Sequence, residues 1–274
     1  MVTSQRIWTP TKQIGLFAPR RNTPSNTALR HLLVWNIGHP ALTRAESQAE
    51  WLLRQSADVI VLTETCDNEG CRSLQERLFE GGYDIVASIP PAGEFGTVIA
   101  SRCPLELSTF VDAVTFLPSR IAAVRLPSES VELIGVYVPN RDASEAKIAR
   151  KQDFLRSLGK ALVSRPRTSM VFCGDLNLIP RDHVPRYTFF KNWEYRFFDD
   201  LRESALYDTF TLNNESRQGH SWVGQTGDGY RYDYCFVSSD LTRLVSTADF
   251  DHDARRKGLS DHAALHVRFA VPEN

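Results

Sequence analysis

The chain has 274 residues, 42% of them hydrophobic and 24% charged, with a formal net charge of −1. That composition suits a globular protein with a sizeable core, and no run of about 18 apolar residues offers a membrane span. The balanced charge argues against a dedicated duplex-DNA binder, which is usually strongly basic, but leaves room for a local cationic patch.

Cys66, Cys71, Cys103, Cys173 and Cys235 make an odd count with no C-x-x-C pair. A disulfide framework or a zinc site is therefore not expected, and the reducing cytoplasm is the expected compartment. Residues 1–28 are polar, include Arg20, Arg21 and Pro24, and lack the apolar stretch of a secretory signal. They read as a flexible lead-in or as a strand added to a sheet edge. Residues 29–274 read as one domain, with no repeat and no linker-like stretch.

Short apolar runs then recur along the chain. His31 to Asn36 (HLLVWN) reads as a buried strand, Ala41 to Gln55 as a helix on the spacing of Ala45, Ala49, Leu52 and Leu53, and Asp58 to Glu64 as a strand. A helix is expected from Cys71 to Phe79. The segments YDIVAS, GTVIAS, RIAAVRL and VELIGVYV are rich in β-branched residues and read as strands. Ala143 to Val163 carries the clearest helical stripe (Ile148, Phe154, Leu155, Leu158, Leu162). SMVFCGD, RYDYCFVS and HAALHVRF complete the strands. Strands dominate and helices interrupt them, which fits a mixed α/β sandwich better than strict β-α-β alternation.

Polar residues gather where these strands end: Asn36, Glu64, Asp175 with Asn177, Asp233, and Asp261 with His262. One such residue is ordinarily a turn or cap residue. Several of them, each held at a sheet edge, can converge on one pocket. Glu64, Asp175 and Asp261 are hard oxygen donors and Asn36 and Asn177 neutral ones, a set suited to magnesium or manganese rather than zinc. A divalent cation neutralises the phosphate charge that repels an attacking hydroxide.

The pieces VWNIG, VIVLTE, GTVIASRCPL, GVYVPN, VFCGDLN, YRYDYCFVSS and LSDH resemble, in order, those of the endonuclease/exonuclease/phosphatase superfamily. That superfamily includes exonuclease III, abasic-site endonucleases, deoxyribonuclease I and phosphoinositide phosphatases. The pieces span residues 32 to 269. The resemblance implies a four-layer α/β sandwich, two packed mixed sheets flanked by helices. It also implies roles. Glu64 is the principal metal ligand with Asn36 beside it and Asp261 nearby. Asp175 activates the attacking water, and Asn177 holds that water or a phosphate oxygen. Asp233 orients His262, which contacts the phosphate, while Tyr137 and Asn140 support the transition state. The sequence departs from some nucleases of the family at Gly38, where they carry an aspartate, and at Thr63, where a glutamine often precedes the glutamate.

Outside these motifs, His39 and His220 read as solvated or core histidines. Trp222 stands either near the substrate or in the core, and Arg231 either on phosphate or over a strand edge. Residues 181 to 198 interleave Arg181, Arg186, Lys191 and Arg196 with seven aromatic residues. Such interleaving suits a nucleic-acid groove, with a core role as the alternative for the rings. Arg255 and Arg256 precede the S-D-H motif and could stand on its rim. The expected function is that of a metal-dependent nuclease, nearest the exonuclease III and abasic-site branch on the DTF, HSW and RYDY segments. The alternatives are a phosphatase or phosphodiesterase of small molecules or lipid headgroups, and a catalytically inactive binding module.

Overall fold

The computed structural model describes residues 5–8, 13–17, 28–165, 168–184, 187–214 and 218–270. In chain order the strands are β1 (Gln5–Trp8), β2 (Gln13–Phe17), β3 (His31–Asn36), β4 (Val59–Thr65), β5 (Asp84–Ser88), β6 (Gly96–Ser101), β7 (Glu106–Leu107) and β8 (Ile121–Leu126). They continue with β9 (Val131–Tyr137), β10 (Met170–Asp175), β11 (Leu206–Asp208), β12 (Trp222–Val223), β13 (Gly229–Tyr230), β14 (Asp233–Ser238), β15 (Val245–Asp251) and β16 (Ala264–Phe269). The helices are α1 (Leu42–Gln55), α2 (Glu69–Glu80), α3 (Glu145–Val163), α4 (Asn192–Glu203), α5 (Thr209–Asn213) and α6 (Asp253–Arg256).

Two sheets carry the fold. The first runs β1-β2-β5-β6-β4-β3-β16-β15 and the second β11-β14-β10-β9-β8-β7. Strand alternation explains why they stack. In β3, Leu32 and Val34 join the layer between the sheets, with Val59, Val61, Val124, Leu133, Val171 and Val237. Leu33 and Trp35 point the other way and pack under α1 and α2 against Ala49, Leu52, Leu74 and Leu78. In the second sheet, Ile134, Val136 and Phe172 face outward onto Phe154 and Leu158 of α3 and Phe197 and Leu201 of α4. A strand apolar on both faces needs cover on both faces, and the outcome is a helix–sheet–sheet–helix sandwich.

The expected elements stand close to where the sequence puts them, with instructive exceptions. α2 starts at Glu69, before the expected Cys71, because the Asn68 side chain caps it by accepting from the Cys71 backbone N–H at 2.7 Å. β14 starts at Asp233, not Arg231, because the preceding Gly229–Tyr230 pairs with Trp222–Val223 instead. β15 carries no apolar run, and only Ala248 is buried in it. It is an edge strand paired to β16. Within the first 28 residues, β1 and β2 pair with each other and β2 extends the first sheet through β5. Among the described residues no helix is long and apolar enough to cross a membrane.

Between β3 and β16 the His31 and His266 rings stack at 5.0 Å, with Nε2 of one 2.8 Å from Nδ1 of the other. Burial, and then the neighbouring His266, hold the His31 pKa down to about 4, and burial likewise lowers that of His266. An unfolded chain takes up these protons near pH 6.5, whereas the folded protein resists them. The pair's contribution to stability is therefore intact above about pH 6.5 and lost as pH falls toward 4. The urea midpoint should drop between pH 7.5 and 5, and His31→Gln should drop less over the same interval. An equal drop in the two proteins would refute the assignment.

Candidate active site

The functional side chains stand where the two sheets end on the same side. β3 and β4 run parallel with Asn36 opposite Thr63. A register shift between Thr63 and Thr65 and a left-handed φ of +57° lift Glu64 out of the ladder. Such a backbone is costly for a non-glycine residue and persists only where its surroundings hold it. Three groups hold the Glu64 carboxylate. Asn36 Nδ2 donates to Oε2 at 3.0 Å, the Tyr137 hydroxyl donates to the same oxygen at 2.9 Å, and His39 Nδ1 lies 2.8 Å from Oε1.

The second sheet supplies the other half. Asp175 lies opposite Tyr137 on β9 and opposite Asp233 on β14, so three functional residues form one row. The glycine of the G-D-x-N motif makes this row possible. Gly174 has φ +140°, and a Cβ there would lie 1.9 Å from the Val136 carbonyl oxygen. Asp175 accepts from Asn36 Nδ2 at 2.8 Å and from the Asn177 backbone N–H at 2.8 Å. Asn177, itself left-handed at φ +49°, donates through Nδ2 to the Val138 carbonyl. Asp233 accepts from His262 Nδ1 at 2.7 Å. Asp175, Asp233 and His262 are all buried and bring one polar atom each within 4.8 Å of the others. The serine of the S-D-H motif fixes the imidazole: Ser260 Oγ donates to the Asn36 carbonyl and accepts from the His262 N–H.

Charge in this cluster is shared. Burial, then repulsion from Asp233, pushes the Asp175 carboxyl up to about 7. Burial opposes charge on His262, but the Asp233 carboxylate outweighs it and raises the imidazole to about 10. A cationic imidazole donates hydrogen bonds and cannot ligate a metal. Glu64, by contrast, opens with Asp261 into a cleft of about 630 Å³ that Gly38, His39, Arg44, Arg255 and Ser260 also line. A hard-oxygen pair beside open solvent suits a cation that keeps part of its water shell. The donor set at Glu64, Asn36 and Asp261 therefore fits magnesium or manganese better than the buried trio does.

The endonuclease/exonuclease/phosphatase family model matches residues 33–262, which covers all of these residues. The chain belongs to the endonuclease/exonuclease/phosphatase family. Its fold is shared with an AP endonuclease from Archaeoglobus fulgidus, at 21% identity and a TM-score of 0.75 over 88% of this chain and 100% of that one. It is shared equally with the 3′-5′ exonuclease NExo from Neisseria meningitidis, at 21% identity and a TM-score of 0.74 over 88% and 100% of the two chains. A point variant of the 3′ phosphatase NExo from Neisseria, bound to a product DNA hairpin, matches at 20% identity and a TM-score of 0.74 with the same coverage. No curated protein sequence matches the chain.

Within this family fold, Asn36, Glu64, Tyr137, Asp175 and Asn177 are hydrogen-bonded together, and Ser260 ties the Asp233–His262 pair to them through the Asn36 carbonyl. Asp261 is exposed on the cleft and accepts from Trp222 Nε1 at 3.0 Å. Trp222 in turn packs on Tyr230 and Tyr232, giving the cleft an aromatic flank. Asn140 is exposed three residues beyond Tyr137. Arg255 lines the cleft, whereas Arg256 and Lys191 are exposed. Arg256 lies 4.0 Å from Asp253, and Lys191 precedes α4. Arg186 lies outside the described residues. Arg231 is not brought to the group: it makes a 2.6 Å ion pair with Asp208 and lies over Phe210 and Tyr234.

Three supporting groups escape sequence reading. His39 is half-exposed, as a solvated histidine would be, yet it holds Glu64. Arg44 comes from the first turn of α1 and donates to the Gly38 carbonyl. Lys151 is buried, donates to the Asn177 carbonyl at 2.7 Å and pairs with Glu194 at 2.9 Å, and Glu194 also pairs with Arg141. This network ties α4 to the Asn177 turn. Lys151 stands within the apolar stripe of α3, among Phe154, Leu155 and Leu158, and a lysine at such a position is buried only when paired, which its sequence neighbours do not show. Gly174→Ala should unfold or displace the end of β10, since the Val136 carbonyl cannot yield to a side chain. The expected result is a loss of about 3 kcal/mol or more in denaturant unfolding, and a variant of unchanged stability would contradict the close approach.

Proposed function

We propose that the protein is a divalent-metal-dependent phosphodiesterase that hydrolyses nucleic acid, nearest in type to the exonuclease III and abasic-site branch of its family. The observation that carries this reading is the buried Asp175 carboxylate, held on two sides by Asn36 and Asn177, beside the Asp233–His262 pair. A carboxyl with a pKa of about 7 is matched to taking a proton from water near neutral pH. Endonuclease, exonuclease and phosphatase activity all amount to hydrolysis of a phosphoric ester, so the family name sets the reaction class.

Each residue then has a task. Asp175 receives the proton of the attacking water, and Asn177 orients that water. His262, cationic and fixed by Asp233, donates to a phosphate oxygen as negative charge builds there. Asn140, exposed beyond the end of β9, stands by as a further donor, and the Tyr137 hydroxyl, which donates to Glu64, supports the site through that carboxylate. Glu64, with Asn36 and Asp261, would hold magnesium or manganese, whose chemistry is to neutralise the phosphate and the leaving oxygen. The full set argues against a binding module, which has no use for a base beside a cationic imidazole.

Nucleic acid is the substrate class supported by the aromatic flank of the half-buried Trp222 and Tyr232, backed by the buried Tyr230, since such rings can stack on bases. The exposed Lys191 and Arg256 and the half-buried Arg255 add cations for the backbone. Arg186 is a further candidate contact. The balanced net charge favours a second reading, a phosphodiesterase of small molecules or lipid headgroups. All five cysteines are free, in keeping with a reducing cytoplasm.

The test is a panel of abasic duplex, single-stranded DNA, RNA and small phosphomonoesters with magnesium. Chelation should abolish turnover. Asp175→Asn keeps the side-chain shape and should lower kcat by roughly 100-fold or more while the protein stays folded. Full activity in chelator would defeat the metal mechanism, near wild-type activity of Asp175→Asn would defeat the base, and turnover of small phosphoesters alone would favour the second reading.

A further inference from the structure

The cleft beside Glu64 has a cationic wall in which the proposed hydrolysis gives Arg44 no part and Arg255 no defined phosphate. Gly38 turns the chain after β3, and a Cβ there would lie 3.6 Å from the two terminal nitrogens of Arg44 and 4.0 Å from Asp261 Oδ1. The guanidinium of Arg44 therefore lies in contact range of residue 38 and faces the same cleft as Asp261. One of its nitrogens is spent on the Gly38 carbonyl. Arg255 reaches the same cleft from α6, and its Nε is buried without a hydrogen-bond partner.

Neither arginine forms an ion pair among the described residues, although many others do, as with Arg231 on Asp208 and Arg120 and Arg150 on Glu94. The histidines near Arg255 do not offset it: burial first, with neighbouring cations, lowers the pKa of His220 and His252. Glu64 and Asp261 share the cleft. Those carboxylates answer to a cation, so the guanidiniums remain for an anion.

We infer that Arg44 and Arg255 form a subsite for a second, non-scissile phosphate of the substrate. Guanidinium forks match phosphate oxygens in pairs, and a partly desolvated Nε with no partner recovers its lost hydrogen bond only when an acceptor arrives. The subsite lies beside Glu64, so the phosphate it takes is a neighbour of the one under attack. Its source is either the next backbone phosphodiester or a terminal phosphomonoester. The inference rests on the proposed phosphodiesterase reading, and its test separates the two.

Binding is measured first, without turnover. On the Asp175→Asn protein with magnesium, calorimetry should give thymidine 3′,5′-bisphosphate an affinity about 10-fold above that of thymidine 5′-phosphate. The added Arg44→Gln or Arg255→Gln change should erase most of that preference, with the melting temperature read alongside. Two variants are used because Arg44 also braces the Gly38 turn. A second arm uses the active protein and short oligonucleotides in which one flanking phosphate at a time is a neutral methylphosphonate. One such position should raise KM about 10-fold with kcat nearly unchanged, and the arginine variants should no longer feel it. A terminal source would instead show as a KM gain from an added end phosphate and none from the backbone position. No bisphosphate preference in the parent, or a preference that survives in both arginine variants, overturns the subsite. A preference that follows the arginines in a protein that cleaves no oligonucleotide upholds the subsite and defeats the nuclease reading alone.

Discussion

A single amide group joins the two halves of the site. Asn36 ends a strand of the first sheet, and its Nδ2 reaches both Glu64 on that sheet and Asp175 on the other. Hydrogen bonds to charged groups contribute about 1.5–3 kcal/mol each, and here they also fix distance. Two stacked sheets are free to slide or splay at their ends. This amide, with the Tyr137 hydroxyl bridging back to Glu64, locks the ends that carry the chemistry. The serine of the S-D-H motif then hangs His262 on the Asn36 backbone carbonyl, so the imidazole inherits the same anchor.

From that lock follows a division of electrostatic labour. On the buried side, Asp175, Asp233 and His262 share charge: burial, then Asp233, pushes the Asp175 carboxyl up, and the Asp233 carboxylate raises the imidazole against the opposing effect of burial. On the open side, Glu64 and Asp261 face a cleft that Arg44 and Arg255 also line. In the proposed function, proton transfer is assigned to the first region and charge neutralisation to the second. The junction carries its own share of strain, in the left-handed Glu64 and Asn177, and there Gly174 is pressed on Val136. Buttressing comes from outside the site: the buried Lys151–Glu194–Arg141 network holds the Asn177 turn from behind.

Much of this was legible in the sequence because the strands are buried on both faces and so read as continuous apolar runs. β3, β4, β9 and β10 end in polar residues that have no other reason to stand there. β15 was illegible because an edge strand with one buried residue has no such run. Arg231, two residues before Asp233, reads either as a phosphate contact or as cover over a strand edge, because its partner Asp208 lies 23 positions away and only the β11–β14 pairing brings them together. His39 and Arg44 were illegible for a similar reason. Their meaning depends on the turn at Gly38, which places one on Glu64 and the other over the glycine.

At the centre stands the assignment of the metal to Glu64 and of proton handling to the Asp175, Asp233 and His262 trio. Manganese binding, followed by electron paramagnetic resonance on Glu64→Gln and His262→Ala proteins of verified fold, tests it most directly. Glu64→Gln should weaken binding by roughly 10–100-fold, while His262→Ala should leave it nearly unchanged. Strong binding by Glu64→Gln together with its loss in His262→Ala would contradict this assignment and move the ion to the buried trio.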